Sequence, residues 1–164
     1  MITVREAMQW SRGTFHILTD QNALDLTAIQ SFLNNAPWSY GLPLSKLKKA
    51  LRHSLCFSLL ENHVQIGLAR VITDYTTYAY LCDVYILEEF RGQGLGSWLI
   101  QCVLEHPELQ GLRRISLLTH DAQTFYKPLG FAPLLQPERY MERPLGKTLS
   151  PQLEGGSIID IISG

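Results

Sequence analysis

The hydrophobic pattern changes character along the chain. From Leu55 to Leu87 the sequence runs in long stretches of branched and aromatic residues broken by short polar turns. Leu55–Leu60, Val64–Thr73 and Tyr78–Leu87 read as three strands, with Glu61-Asn62-His63 and Asp74-Tyr75-Thr76 between them, so the spacing predicts an antiparallel meander. On either side the period lengthens. Leu24, Ile29, Phe32 and Leu33 fall at mixed three- and four-residue spacing, which predicts a helix over 23–35 stopped by Asn34-Asn35-Ala36-Pro37. Ser45 is placed to cap a second helix over Lys46–Arg52. Leu95, Trp98, Leu99, Cys102 and Val103 mark one face of a helix over Gly94–His106 that Pro107 ends. A further helix over Asp121–Leu129 closes at Gly130, where a left-handed cap would sit. The remaining β-type runs are Thr14–Leu18, Arg114–Leu118, and Phe131–Leu135 with Arg139–Glu142 as a closing hairpin.

Length and charge narrow the class. The chain has 164 residues, a formal net charge of −1 and a 46% hydrophobic share, which suits one folded domain. The balanced charge speaks against a nucleic-acid partner, whose footprint is a basic face. No apolar run approaches the ~20 residues of a membrane helix, and Arg5 and Glu6 interrupt the start as no secretory leader would. Cys56, Cys82 and Cys102 are odd in number and apolar in setting, so they read as reduced core thiols in a cytoplasmic protein. No zinc spacing occurs, and no metal site is expected. Beyond Pro144 the texture shifts to Gly, Ser, Pro and Leu. The expected division is a domain over 1–143 and a tail over 144–164, whose apolar Ser157–Ile162 reads either as an added strand or as a disordered end.

One local motif carries chemistry. Arg91-Gly92-Gln93-Gly94-Leu95-Gly96-Ser97 follows a strand and opens a helix. Its glycines permit a sharp turn and close backbone approach, and the helix start offers free amides and positive potential to a pyrophosphate. The dinucleotide fingerprint Gly-x-Gly-x-x-Gly fails because Ser97 stands where its last glycine belongs, and the P-loop fails for want of a lysine.

Val84 to Gly96 resembles the acetyl-CoA motif of the GNAT superfamily, the Gcn5-related N-acetyltransferases, and Thr124-Phe125-Tyr126-Lys127-Pro128-Leu129-Gly130-Phe131 is similar to its second motif. The element order agrees over roughly 14–143. The resemblance implies an α/β (α+β) fold with a mixed, mostly antiparallel sheet, two splayed parallel strands ending near Leu87 and Leu118, and helices on both faces. It also implies transfer of an acetyl group from acetyl-CoA to a primary amine, of a small molecule or a protein, by direct attack. A homodimer is a further expectation from family habit. A non-catalytic acyl-CoA-binding or partner-binding module of the same fold is the rival reading.

The resemblance implies roles for particular residues. Tyr85, Ile86 and Leu87 would lend main-chain groups to the pantetheine arm. Arg91, Gly92, Gln93, Gly94, Leu95, Gly96 and Ser97 would hold the pyrophosphate. Tyr126 stands at the position of the general acid that protonates the departing thiolate, or is a core aromatic. Asp83, mid-strand and on one face with Tyr85 by simple alternation, is either a base acting through water or a paired structural carboxylate. Asp121 is a second candidate base that would serve equally as a helix cap, and His120 is a third. Trp38 and Tyr40 would shape the acceptor pocket or staple their loop to the core, together with the stretch Pro137–Tyr140. Lys46, Lys48, Lys49 and Arg52 read as a solvated helix face.

Overall fold

A computed structural model describes residues 5–36 and 42–145. Trp38, Tyr40 and the Ser157–Ile162 segment lie outside the described residues. Six strands form one sheet in the order β1-β2-β3-β4-β5-β6. They are β1 Gln9–Arg12, β2 Phe15–Leu18, β3 Leu55–Glu61, β4 Val64–Thr73, β5 Tyr78–Ile86 and β6 Arg114–Leu117. The first five pair antiparallel, and β5 pairs with β6 in parallel. The helices are α1 Leu26–Asn34, α2 Leu44–Arg52, α3 Leu95–Glu105 and the single turn α4 Gln123–Tyr126.

Two cores sandwich the sheet. Ala69 and Val71 of β4, Ala79 and Leu81 of β5, and Trp98, Leu99 and Val103 of α3 share the larger one. Leu68 and Tyr85 face the other way and pack with Ile29 and Leu33 of α1 and Leu47 and Leu51 of α2. β3 is buried on both faces from Leu55 to Leu60, which is why its sequence is apolar without alternation. On α2 the cations Lys46, Lys48, Lys49 and Arg52 are all exposed opposite Leu47 and Leu51, the arrangement of a solvated face.

Five elements differ from the expectation. β1 was not expected: among Gln9, Trp10, Ser11 and Arg12 only Trp10 is apolar, and the strand lies at the edge of the sheet. The helix over 23–35 begins later, at Leu26, after a 3₁₀ turn at Gln21–Ala23. Its Asp25 caps it by accepting from Ala28 N at 3.0 Å. α2 is capped by Pro43 and not by Ser45; Pro43 O accepts from Lys46 N and Leu47 N, each at 3.0 Å, and no side chain caps the end. The closing hairpin is absent: 131–136 is irregular and Pro137–Arg139 is a 3₁₀ turn. Pro133 and Pro137 lack the amide that a ladder needs at those points. The helix expected over 121–129 is α4 followed by a 3₁₀ turn at Lys127–Leu129, and Gly130 does close it at φ +95°.

His106, just past α3, ties acid sensitivity to the fold. It is 3% exposed and stacked edge-on against Phe57 at 5.6 Å. Its Nδ1 accepts from Glu108 N at 3.2 Å, so Nδ1 carries no proton, while Nε2 is buried without a partner among the described residues. Burial lowers its pKa, and Glu108 opposes this more weakly. A histidine whose folded pKa is depressed contributes stability that is full above its unfolded pKa near 6.5 and is lost as pH falls below that value. The melting temperature should therefore drop by a few degrees between about pH 7.5 and about pH 5.5, a window above most carboxylate titration. Calorimetry on wild type and His106→Phe checks this; an equal drop in both would refute the assignment.

Candidate active site

The site begins where β5 leaves β6. The two strands are paired from Tyr78↔Arg114 to Leu81↔Leu117, and no pairing continues beyond. In the same place β5 carries one residue too many for β4: Arg70 faces Cys82 and Leu68 faces Tyr85, so Ala69 opposes both Asp83 and Val84. Such a bulge increases local twist and re-aims the residues after it. Asp83 takes φ +51°, a conformation costly for non-glycine residues by about 1–3 kcal/mol and best tolerated by Asp and Asn.

The extra residue also reverses the strand's alternation. Before it, Ala79 and Leu81 enter the α3 core; after it, Val84 and Ile86 do. Tyr85 is thereby turned to the α1/α2 side, where its ring stacks on Phe32 at 3.8 Å. Asp83 shares that side through Arg70, as simple alternation suggested, but so do Tyr78, Tyr80 and Cys82, which simple alternation forbids. Leu87 N donates to Ile66 O at 2.8 Å, so that amide is committed to β4. Main-chain groups alternate along a strand, so those of Ile86 point the other way, into the gap between β5 and β6. Ile86 O accepts from Arg91 Nε at 2.9 Å, which fastens the glycine turn to the strand end. Gly67 permits this packing: a Cβ there would lie 2.7 Å from the Tyr85 carbonyl oxygen.

At the mouth of the gap stands the start of α3. Gly92 and Gly94 have φ +81° and +76°, left-handed values that a side chain would strain. Gly94 is the N-cap, and no side chain caps the helix. Its carbonyl takes Trp98 N at 3.1 Å, so the amides of Leu95, Gly96 and Ser97 form the orphan first turn. Gly96 is buried, and a Cβ at Gly94 would meet nothing within 4 Å. Open space before uncapped amides is the geometry that accepts a phosphate anion. Gln93 Nε2 donates to Phe90 O at 3.2 Å and stiffens the turn.

α4 carries Tyr126. It is 5% exposed, with Phe125 and Phe131 edge-on at 4.9 and 5.5 Å. It lines a cleft of about 1230 Å³ that runs between β6 and residues 130–140. Burial raises its phenol above the ordinary value near 10, so the group stays protonated at neutral pH. Thr119 Oγ1 accepts from Ala122 N at 3.0 Å, so a hydroxyl fixes the approach to α4. Tyr140 lies beside the sheet, its hydroxyl 3.5 Å from that of Tyr78, which also bonds to Ser116 Oγ. A second cavity of about 480 Å³, bordered by Phe32, Gln65, Tyr85 and Leu87, opens on the α1 side.

The structure thus brings Tyr85, Ile86, Arg91 and the 92–97 turn together at the gap, while Tyr126 lines the separate cleft between β6 and residues 130–140. Asp83 lies at the gap's apex, ion-paired to Arg70 at 2.7 Å. Arg70 went unremarked in the sequence. The signal for Arg70 was there: it is the one charged residue within the apolar run Val64–Thr73.

Residues 24–131 match the model of the Acetyltransferase (GNAT) family. The chain belongs to that family and is an acetyltransferase by descent. Its fold is similar to that of a GNAT-family protein from Xanthomonas campestris pv. campestris, with a TM-score of 0.78 and 44% identity over 80% of this chain and 93% of that one. A Gibberella zeae protein whose name assigns it to the acetyltransferases is 38% identical over 154 residues, 79% of this chain and 86% of that one. A Clostridium acetobutylicum structure described with acetyl-CoA shares the fold at TM-score 0.58 and 15% identity, covering 79% of this chain and 94% of that one. Among the described residues no helix is long and apolar enough to cross a membrane.

Proposed function

We propose that this chain transfers the acetyl group of acetyl-CoA to the nitrogen of a primary amine by direct attack. The observation that carries the reading is the conjunction of a parted β5/β6 pair with an uncapped, glycine-started α3 at its mouth. The amides of Leu95, Gly96 and Ser97 would hold the pyrophosphate, with the helix dipole adding attraction. The main chain of Ile86 would receive the pantetheine arm. Acetyl-CoA supplies the activated thioester carbonyl.

The reaction then needs a proton for the departing thiolate, and Tyr126 is the donor we assign. Its protonated phenol borders the cleft and is held rigidly by two aromatic edges. An acyl-cysteine route finds no support, because burial pushes the Cys82 thiol up to about 12, only partly offset by Arg70, and the thiol is the weak nucleophilic form. The acceptor must arrive as the free amine, whether on a small molecule or on a protein; as the C–N bond forms and the C–S bond breaks, the proton its nitrogen sheds restores the Tyr126 phenol, directly or through water.

The test is a thiol-release assay with acetyl-CoA over polyamines, amino acids, arylalkylamines and lysine peptides. One amine class should release thiol and appear as its N-acetyl product by mass spectrometry. Silence over the whole panel, with acetyl-CoA binding intact, would overturn catalysis in favour of a binding module.

A further inference from the structure

Asp83 sits where the sheet parts, and its surroundings decide what it can do. Its Oδ2 accepts from Arg70 Nε at 2.7 Å, and the two side chains are only 12% and 16% exposed. Arg70 is itself anchored. Its Nη1 donates to Ser54 Oγ at 3.1 Å, and Ser54 Oγ donates to Ala50 O of α2 at 2.8 Å. Gln21 Nε2 donates to Leu51 O and Ser54 O, tying the same corner to the chain before α1. In the ladder Arg70 stands between Cys56 and Cys82, both neutral thiols, and Tyr80 and Tyr85 are further titratable groups close to the pair. The Asp83 carboxylate is therefore Arg70's counter-charge, held from the end of α2.

The Oδ2 of Asp83 is turned to a fixed guanidinium and not to a passing amine. It is well placed to hold an unfavourable backbone. Asp83 is the residue at φ +51°, and the reversal of alternation that follows it is what puts Tyr85 over α1 and aims the Ile86 main chain at the gap.

We propose that Asp83 is a positioning residue: clamped by Arg70, it locks the bulge that parts β5 from β6 and turns the Ile86 main chain toward the acetyl-CoA arm. The link to acetyl-CoA rests on the function proposed above; the clamp itself does not.

Three variants separate the roles. Asp83→Asn keeps an oxygen for Arg70 and tolerates positive φ, but takes up no proton. Asp83→Val offers Arg70 nothing and resists positive φ. Asp83→Gly accepts the backbone freely but leaves Arg70 without its carboxylate partner. Amide exchange over 82–87 in the free protein should stay near wild type in Asn and rise by about ten-fold or more in Val and Gly. The acetyl-CoA Kd should follow the same order. Turnover in Asn should fall by no more than about ten-fold, with the pH profile unchanged in shape, whereas loss of a general base costs about 10²–10⁴-fold. If Val does not fold, Gly against Asn carries the comparison.

Two results would overturn the proposal. One is an Asn variant that binds acetyl-CoA normally but loses turnover by about 100-fold or more together with the acid limb of its profile. The other is a Gly or Val variant with wild-type exchange. If wild type itself binds no acetyl-CoA, the functional reading fails, and the exchange data alone still decide the clamp.

Discussion

Gly94→Val should weaken acetyl-CoA binding by about 100-fold or more while the protein stays folded. Gly94 lies at φ +76° as the N-cap of α3, and valine is among the residues least able to adopt that value. Its Cβ would point into open space, so no core contact is lost. What changes is the aim of the first-turn amides, and each hydrogen bond to a charged group is worth about 1.5–3 kcal/mol. Two such bonds misdirected account for the loss. Gly111→Val is the control. Gly111 has φ +79° with nothing within 4 Å, so it bears the same strain on a turn away from the gap. Calorimetric titration should find the loss at Gly94 alone; equal affinities in the two variants would remove the glycine turn from the site.

Tyr126→Phe should lower kcat by about 10²–10⁴-fold and leave the acetyl-CoA Kd within about two-fold. The ring would keep its edge contacts with Phe125 and Phe131, so only the proton is removed. Because burial holds the phenol above its ordinary value near 10, Tyr126 should give wild type no alkaline fall in kcat below about pH 10. Steady-state kinetics across pH on an accepted amine provide the measurement. Full activity in the phenylalanine variant would reduce Tyr126 to a core aromatic.

What was legible in the sequence follows from where the folding information is local. β4 was read with its observed ends, and α3 to within a residue, because periodicity and glycine placement set them. The 91–97 turn was equally readable, since left-handed backbone at Gly92 and Gly94 needs glycine. β1 was missed because three of its four residues are polar, and its pairing with β2 is a tertiary fact. Phe131–Leu135 is apolar throughout like a short buried strand, but Pro133 interrupts its donors and the segment stays irregular. At the site, strict alternation was the misleading rule. It has no place for an extra residue, and the Arg70 that pairs with Asp83 at the bulge lies 13 positions earlier on another strand. A charged residue alone in a buried strand was the one visible sign that a partner had to exist.

The parted strands and the glycine turn are the proposed acetyl-CoA site. Isothermal titration of the wild-type chain with acetyl-CoA tests it without any knowledge of the acceptor. Saturable one-to-one binding that free CoA competes away is the expected result. Absence of saturable binding, or binding that CoA does not displace, would contradict it.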